Sequence, residues 1–449
     1  MNARCKGVLG FLFCLCVLSL CAPEPAYAYL DPGTGNILVY VLVSLVSALL
    51  YFCKNFWYGA LARFGGKSPA ARAERAELVI FSEGRVYWPT FKSIVAALLE
   101  KKMPFRYVSM DIHDPGLAIA NPLMQSRYVG TGSAAFARVA GARGSLMLST
   151  TPNIGTPGYP MPAPRNVKQL VHVLHSLGGM GFYYRRAFDC YDVMLLMGEG
   201  CVDEVRRLEA TRGLPAKECV SAGVPCFDEI PKPERKGRSP SEPPVVLVAP
   251  SWGEKSCLNY CGTAFIEWLA NAGYEVIVRL HPFSYKVESA EAANLAKRFA
   301  PWKNVGFDTA LTARESFARA DMMISDKSCV RFDFAFTCER PVLTLDVPAA
   351  AQEHFEISVL GTCWEQEMET LLGPVIAPED FRALSEEDFL ETVRRTLAVP
   401  PARIEELRGA SVANIGRSGE FIADWLIARC ALLASEDGGA GEASAGKVS

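Results

Sequence analysis

Residues 322–345 read MMISDKSCVRFDFAFTCERPVLTL. A short apolar run, Met322 to Ile324, ends at a polar break, Ser325 to Ser328. Val330, Phe332, Phe334, Ala335 and Phe336 then give a mostly apolar helical stretch, and the chain returns as a strand from Pro341 to Leu345. A loop here opens a helix at the carboxyl end of a strand. Backbone N–H groups and the positive end of the helix dipole face outward there, which suits a phosphate. Ser328 can cap the helix or donate its hydroxyl to an anion, and Lys327 adds positive charge. The plainer reading of the same residues makes Asp326 or Ser328 an ordinary N-cap.

The same alternation extends outward. Before this stretch, strands are expected at Val245–Ala249, ending in Pro-Ser251-Trp-Gly, and at Glu275–Arg279, ending in Leu-His281-Pro282. Helices are expected at Thr263–Ala272 and Ala290–Phe299, and after the stretch at about 386–397 and 402–433. Upstream, strands fall at Leu78–Phe81, Phe105–Met110, Arg127–Gly130, Leu146–Ser149, Gln169–Leu174 and Asp192–Met197. Helices fall at Phe91–Lys102, Ala134–Ala140 and Val202–Arg212. Alternation of this kind argues for α/β architecture, parallel sheets flanked by helices. Residues 228–244, DEIPKPERKGRSPSEPP, carry five prolines and separate the two alternating units.

The amino-terminal end reads differently. Arg4 and Lys6 precede an apolar core, Val8 to Leu20, and Ala26-Tyr-Ala28 is a small-x-small site, so 1–28 reads as a secretory signal; an uncleaved first membrane helix is the alternative. Residues 36–58 approach the length of a spanning helix, with Trp57 and Tyr58 at the interface. Lys54, Arg63, Lys67, Arg72 and Arg75 follow, so the positive-inside rule places the rest of the chain on the cytoplasmic side in either case. The expected organisation is signal 1–28, transmembrane helix 36–58, basic juxtamembrane linker 59–77, first domain 78–230, Pro-rich linker 231–244, second domain 245–434 with the terminal helices, and a disordered tail 435–449.

The 449 residues exceed one typical domain. A net charge of −3 implies no bulk attraction to nucleic acid. Of 15 cysteines, four lie in the first 21 residues, and the ten beyond Cys53 form no CxxC pair, so neither a zinc module nor a disulfide framework is indicated. Cys257 and Cys261, the closest of these, read as helix-flanking residues in a reducing compartment.

In open α/β sheets, ligands bind at the carboxyl ends of strands. Ser251, Arg279 with His281, and Asp326 to Ser328 fall at such ends in the second unit, and His175 with Ser176 does so in the first. Together they would make a cationic cleft suited to a nucleotide diphosphate. Neither a Walker lysine motif nor a GxGxxG after a strand is present, which disfavours a triphosphate hydrolase or a nicotinamide dehydrogenase. His175 can take a proton from an acceptor hydroxyl, or be a satisfied strand-end histidine; His172 shares its strand, and one of the two can be purely structural. His281 precedes a proline, so it sits on extended backbone. His113 between Asp111 and Asp114 is read as a solvated loop rather than a metal site.

Ala249-Pro-Ser-Trp252, Val278-Arg279-Leu-His281-Pro282, and Asp321 to Phe334 followed by Arg340-Pro341 resemble, in order, the "APTW", "RxHP" and "TDYSSVxFDF" stretches of the CDP-glycerol glycerophosphotransferases of the teichoic-acid polymerase type. The resemblance spans about 245–346. Val173-Leu-His175-Ser176 and Gly223-Val-Pro-Cys-Phe-Asp228 match that family's "xxHG" and "GxPxxD" elements more weakly. It implies a GT-B fold of two Rossmann-like domains. It also implies His175 as base, His281 with Arg279 at the donor phosphates, Ser328 and the helix start at the pyrophosphate, and Asp326 and Asp333 as loop organisers. Lys327 stands where the family has Tyr, Cys329 where it has Ser, and the Gly-Thr after its histidine is missing here.

The function expected is therefore a membrane-tethered transferase. It would move glycerol phosphate, or a similar polyol phosphate, from a CDP-activated donor to a hydroxyl of a membrane-associated glycan or lipid-linked acceptor. The CDP-polyol is a substrate; no cofactor or metal is called for by any cluster in the sequence. A GT-B glycosyltransferase using a nucleotide sugar and a non-catalytic glycan-binding module are the alternatives.

Overall fold

The structure, a computed structural model, describes residues 76–228, 242–253, 256–310, 313–348 and 353–445. The signal segment, the apolar stretch 36–58, the linker up to residue 75 and most of the Pro-rich linker lie outside the described residues. Among the described residues no helix is long and apolar enough to cross a membrane.

Two all-parallel sheets account for the core. In the first, β1 (Leu78–Ser82), β2 (Phe105–Ser109), β3 (Met124–Tyr128), β4 (Gly144–Ser149), β5 (Val167–Val173), β6 (Val193–Leu196) and β7 (Glu218–Ser221) take the order 3-2-1-4-5-6-7. The second contains β8 (Val245–Ala249), β9 (Glu275–Val278), β10 (Val305–Phe307), β11 (Met322–Ser325), β12 (Val342–Leu345) and β13 (Val375–Ile376), in the order 10-9-8-11-12-13. Both are doubly wound, with strand order reversing between β1 and β4 and between β8 and β11. β1 (LVIFS) and β8 (VVLVA) are buried at every position, as strands covered on both faces must be. The short, half-buried β7 has a mixed sequence, ECVS, and carries no such signal.

The helices that position the site are α1 (Trp88–Glu100), α2 (Gly132–Ala140), α3 (Val202–Arg212), α4 (Cys257–Cys261), α5 (Ala264–Asn271), α6 (Ser289–Phe299), α7 (Val330–Cys338), α8 (Trp364–Leu372), α9 (Glu386–Leu397), α10 (Pro401–Ser411) and α11 (Ser418–Ala445). Pro89 stands in the first turn of α1, where no donor is lost, and Phe91, Ile94, Val95 and Leu98 form its buried face. Cys257 and Cys261 lie inside α4 and are buried, rather than flanking a helix.

The expected single helix at 402–433 is two. Asn414 and Gly416 adopt positive φ between α10 and α11, and that turn redirects the chain. In consequence α11 packs on the first sheet, its Ile422, Ala423, Leu426 and Cys430 clustering with Phe91, Ile94 and Leu98. The terminal helices therefore do not all belong with the second domain, as the 245–434 boundary had them. Asp228, the last described residue of the first unit, accepts from the Ser418 and Gly419 N–H groups at 2.8 and 2.6 Å and caps the returning helix. A Cβ at Gly419 would meet the Ser93 hydroxyl at 2.3 Å, so this crossing requires glycine. Helical backbone continues to Ala445, into the stretch expected to be disordered, since extending an existing helix needs no new nucleus.

Candidate functional site

At the β8/β11 switch, the loops after the two strands are tied together by one buried carboxylate. Asp326 accepts from the Ser251 hydroxyl (2.6 Å), the Ser251 N–H (2.8 Å) and the Cys257 N–H (2.9 Å). Burial pushes the Asp326 carboxyl up, and these three donors pull it back. Asp326 and Ser251, both expected at the donor, thus spend these bonds on each other and on the loop that leads into α4.

The cations are more committed than the sequence implied. Lys327 Nζ lies 2.5 Å from Glu369 and 3.1 Å from Asp346, and the Lys327 side chain is almost wholly buried. Arg331, which the sequence reading did not single out, is fully buried; it pairs with Glu369 and reaches the Thr344 hydroxyl. Arg279 pairs with Asp308 at 2.7 Å. The charges of Lys327 and Arg279 are therefore balanced inside the second lobe. The N-cap of α7 is Cys329, with no side-chain capping bond, and Ser328 lies half-buried just before it. Ser328 Oγ accepts from the Val330 N–H at 3.4 Å, and the next three amides of α7 bond to the Ser328 and Cys329 carbonyls, so the helix start reaches the sheet edge with its first amides satisfied within the chain.

His281 is half-buried, and its Nδ1 accepts from the Phe283 N–H at 3.1 Å. In the neutral ring that bond places the proton on Nε2, making it a donor. Trp252, from the loop after β8, stacks on Phe283 with centroids 5.1 Å apart, and both rings are exposed. The His281 ring stacks on Phe283 at 5.8 Å and lies tilted to Trp252 at 6.3 Å. An exposed stacked pair beside a donor histidine is a platform for a planar ligand group. Trp252→Ala is expected to weaken binding of a nucleotide by about 1–3 kcal/mol, on the scale of one base–aromatic stack. Calorimetric titration checks this; unchanged affinity would remove the platform from the site.

The first lobe contributes His175, just past β5. Its ring meets Tyr87 edge-on at 5.3 Å, and its Nδ1 is buried without a partner among the described residues. Burial holds the imidazole down, to about 4, so it is neutral at neutral pH. His172 faces a cage of Tyr183, Phe188 and Tyr191 with both nitrogens buried and unpartnered, which makes it the structural member of the pair. At the β1/β4 switch, Glu83 accepts from the Tyr159 hydroxyl at 3.4 Å, and burial raises its pKa against that bond. Nothing in the Ser-Glu-Gly strand end marked Glu83 out. In the Asp111–Asp114 loop, Asp111 takes both bonds of the Arg85 guanidinium, and Asp114 accepts from Ser82, Ser109 and Tyr107, so these carboxylates have hydrogen-bonded roles already.

The two lobes meet beside His175. Asp333, in the first turn of α7, accepts from the Leu177 N–H at 3.1 Å, and burial, opposed by this donor, pushes its carboxyl up to about 7. Glu204 on α3 accepts from the Met180 N–H at 2.6 Å and from the Trp364 N–H at the start of α8. Asp333 therefore joins the lobes, and its bond goes to the turn after His175 rather than to the loop that it was expected to organise.

Two doubly wound Rossmann-like lobes, crossed back by a carboxy-terminal helix and carrying loops at facing switch points, define the GT-B fold. The structure is similar to that of the wall teichoic acid polymerase TagF, solved as a histidine-to-asparagine variant with CDPG: TM-score 0.52 at 14% identity, covering 87% of this chain and 96% of that one. It is also similar to the UDP-GlcNAc 2-epimerases of Methanocaldococcus jannaschii (TM-score 0.51, 12% identity) and Neisseria meningitidis (0.50, 12%), each covering 79% of this chain and 99% of the other. These likenesses are of fold. No protein-family model matches the sequence, and no curated protein sequence matches it.

Proposed function

We propose that this chain transfers a polyol phosphate, glycerol phosphate in the first instance, from a CDP-activated donor to a hydroxyl of a membrane-associated glycan or lipid-linked acceptor. The observation that carries the reading is the meeting of three separate motif loops, around Ser251, His281 and Asp326, at the carboxyl edge of the β8/β11 sheet. That edge belongs to a fold shared with a polymerase solved with CDPG. The apolar stretch 36–58 and the basic residues after it support a membrane tether with the lobes on the cytoplasmic side.

In this reading the acceptor oxygen attacks the β-phosphorus, the phosphoanhydride bond breaks and CMP leaves. His175 takes the acceptor proton. The His281 Nε2–H and the Ser328 hydroxyl hold the phosphates at the positive end of α7. Because Arg279 and Lys327 are paired within the lobe, oriented donors and the helix terminus supply most of the stabilisation of developing charge. Positioning supplies much of the rest, as expected for phosphoryl transfer.

The second reading, a nucleotide-sugar enzyme, is favoured by the UDP-GlcNAc epimerases, whose TM-scores are nearly the same. One experiment separates the two. The full-length chain is titrated with CDP-glycerol, CDP-ribitol, CMP, UDP-sugars and GDP-sugars. The expected result is preference for a CDP-polyol, weakened at least tenfold in His281→Ala. Preference for a UDP- or GDP-sugar would overturn the phosphodiester reading, and no binding of any nucleotide in the presence of membranes would favour a non-catalytic module.

A further inference from the structure

We propose that Glu204, Cys363 and Glu365 form a binding site for one divalent transition-metal ion of the Zn2+ class, at the junction of the two lobes. One ligand atom from each lies within 4.8 Å of the others, and all three residues are buried. Glu204 comes from α3 of the first lobe; Cys363 is the N-cap of α8 and Glu365 lies in its first turn. The site adjoins the turn after His175, where Gly178 lies beside both Glu365 and Cys329, and it does not depend on what the cleft transfers.

Glu365 is the observation that points to a ligand. The residue has no exposed surface, and neither carboxylate oxygen has a hydrogen-bond partner among the described residues. A buried carboxylate without partners is costly unless an ion or further donors satisfy it. Its own amide, the Cys363 thiol, the Arg331 charge and the Gly179 amide favour its charged form, but none gives either oxygen a hydrogen bond of normal geometry, and burial dominates. A dication would give the Glu365 oxygens the partner they lack.

The surrounding backbone is shaped around these atoms. A Cβ at Gly179 would stand 2.4 Å from a Glu204 oxygen, and one at Gly181 would stand 2.5 Å from the Cys363 sulfur. The Gly178-Gly-Met-Gly181 turn therefore forms a cradle that any side chain would fill. Each Glu204 oxygen already accepts one backbone N–H, from Met180 or Trp364, and keeps a second lone pair. Those bonds fix the carboxylate as outer partners fix ligands in metal sites. A thiolate with two carboxylates suits a borderline ion and disfavours Mg2+ or Ca2+, which take all-oxygen sets. Binding expels the Cys363 proton and any proton held between the carboxylates into solvent. A bound ion would clamp α3 to α8 and fix the turn that follows His175.

The test loads the chelator-stripped full-length chain with Co2+ and, separately, with Zn2+. The expected results are a thiolate-to-cobalt absorption band, one equivalent of Zn2+ retained after gel filtration, and a higher Tm. Cys363→Ser is expected to abolish the band, and Glu365→Gln to lower Zn2+ affinity at least tenfold with the fold intact by circular dichroism. Absence of the band and of retained Zn2+ in the parent protein overturns the proposal, independently of how the variants fold. Persistence of the band in Cys363→Ser assigns it to another cysteine and also overturns it.

Discussion

His175→Gln is expected to lower turnover by about 10²–10⁴-fold while leaving the donor affinity within a factor of about three. Glutamine keeps a polar group near the same position but cannot accept and hold a proton. In the proposed reaction the size of the loss follows from removing the general base, and the unchanged affinity from placing the donor contacts on the other lobe. The pH profile tests the role more sharply. With burial holding the free imidazole at about 4, the acid limb of kcat/KM should fall near pH 4, well below the usual histidine value. Donor phosphates entering the cleft favour the imidazolium, so the limb in kcat should lie at higher pH than the limb in kcat/KM. An unchanged rate in His175→Gln would remove this residue from the chemistry. A lost rate with no difference between the two limbs would leave it only a packing role against Tyr87.

Much of the fold could be read because parallel strands advertise themselves. β1, β8, β11 and β12 are unbroken apolar runs bounded by polar loops, and the helices between them keep their apolar spacing. What could not be read was whatever depends on a distant partner. The return of α11 to the first lobe rests on Asp228 meeting Ser418 and Gly419, 190 residues away. Local periodicity in 402–433 was compatible with one helix, and only the turn at Asn414–Gly416 divides it.

The site divides in the same way. Ser251, His281, Asp326 and Ser328 were legible because loops at strand ends repeat a known order of motifs. Their geometry was not. Lys327 and Arg279 appeared as cations available to an anion, because Glu369, Asp346 and Asp308 lie outside the motifs that carried them. Glu204, Cys363 and Glu365 could not be seen as a group at all, since one comes from the first unit and two from the second.

Glu369→Gln is expected to destabilise the protein by about 3–5 kcal/mol, the typical result of breaking a buried ion pair from one side. Glu369 faces two cations, Lys327 at 2.5 Å and Arg331, and all three side chains are nearly inaccessible. Removing its charge leaves Arg331 with Thr344 and a backbone carbonyl, and Lys327 with the more exposed Asp346 alone. The Tm should fall by roughly 6–20 °C, at about 2–4 °C per kcal/mol for lobes of this size. High salt should not remove the difference, because burial prevents screening. Lys327→Met should cost less, since Glu369 keeps Arg331. A Glu369→Gln protein melting within about 2 °C of the parent would refute the network. The result bears on function as well, because Lys327 replaces the tyrosine of the family that the motifs resemble. A lysine whose charge is built into the lobe by Glu369 and Asp346 is a compensated substitution, with its counter-charges in place. On that account the loop keeps its shape, so the change at Lys327 is no argument for a lost activity.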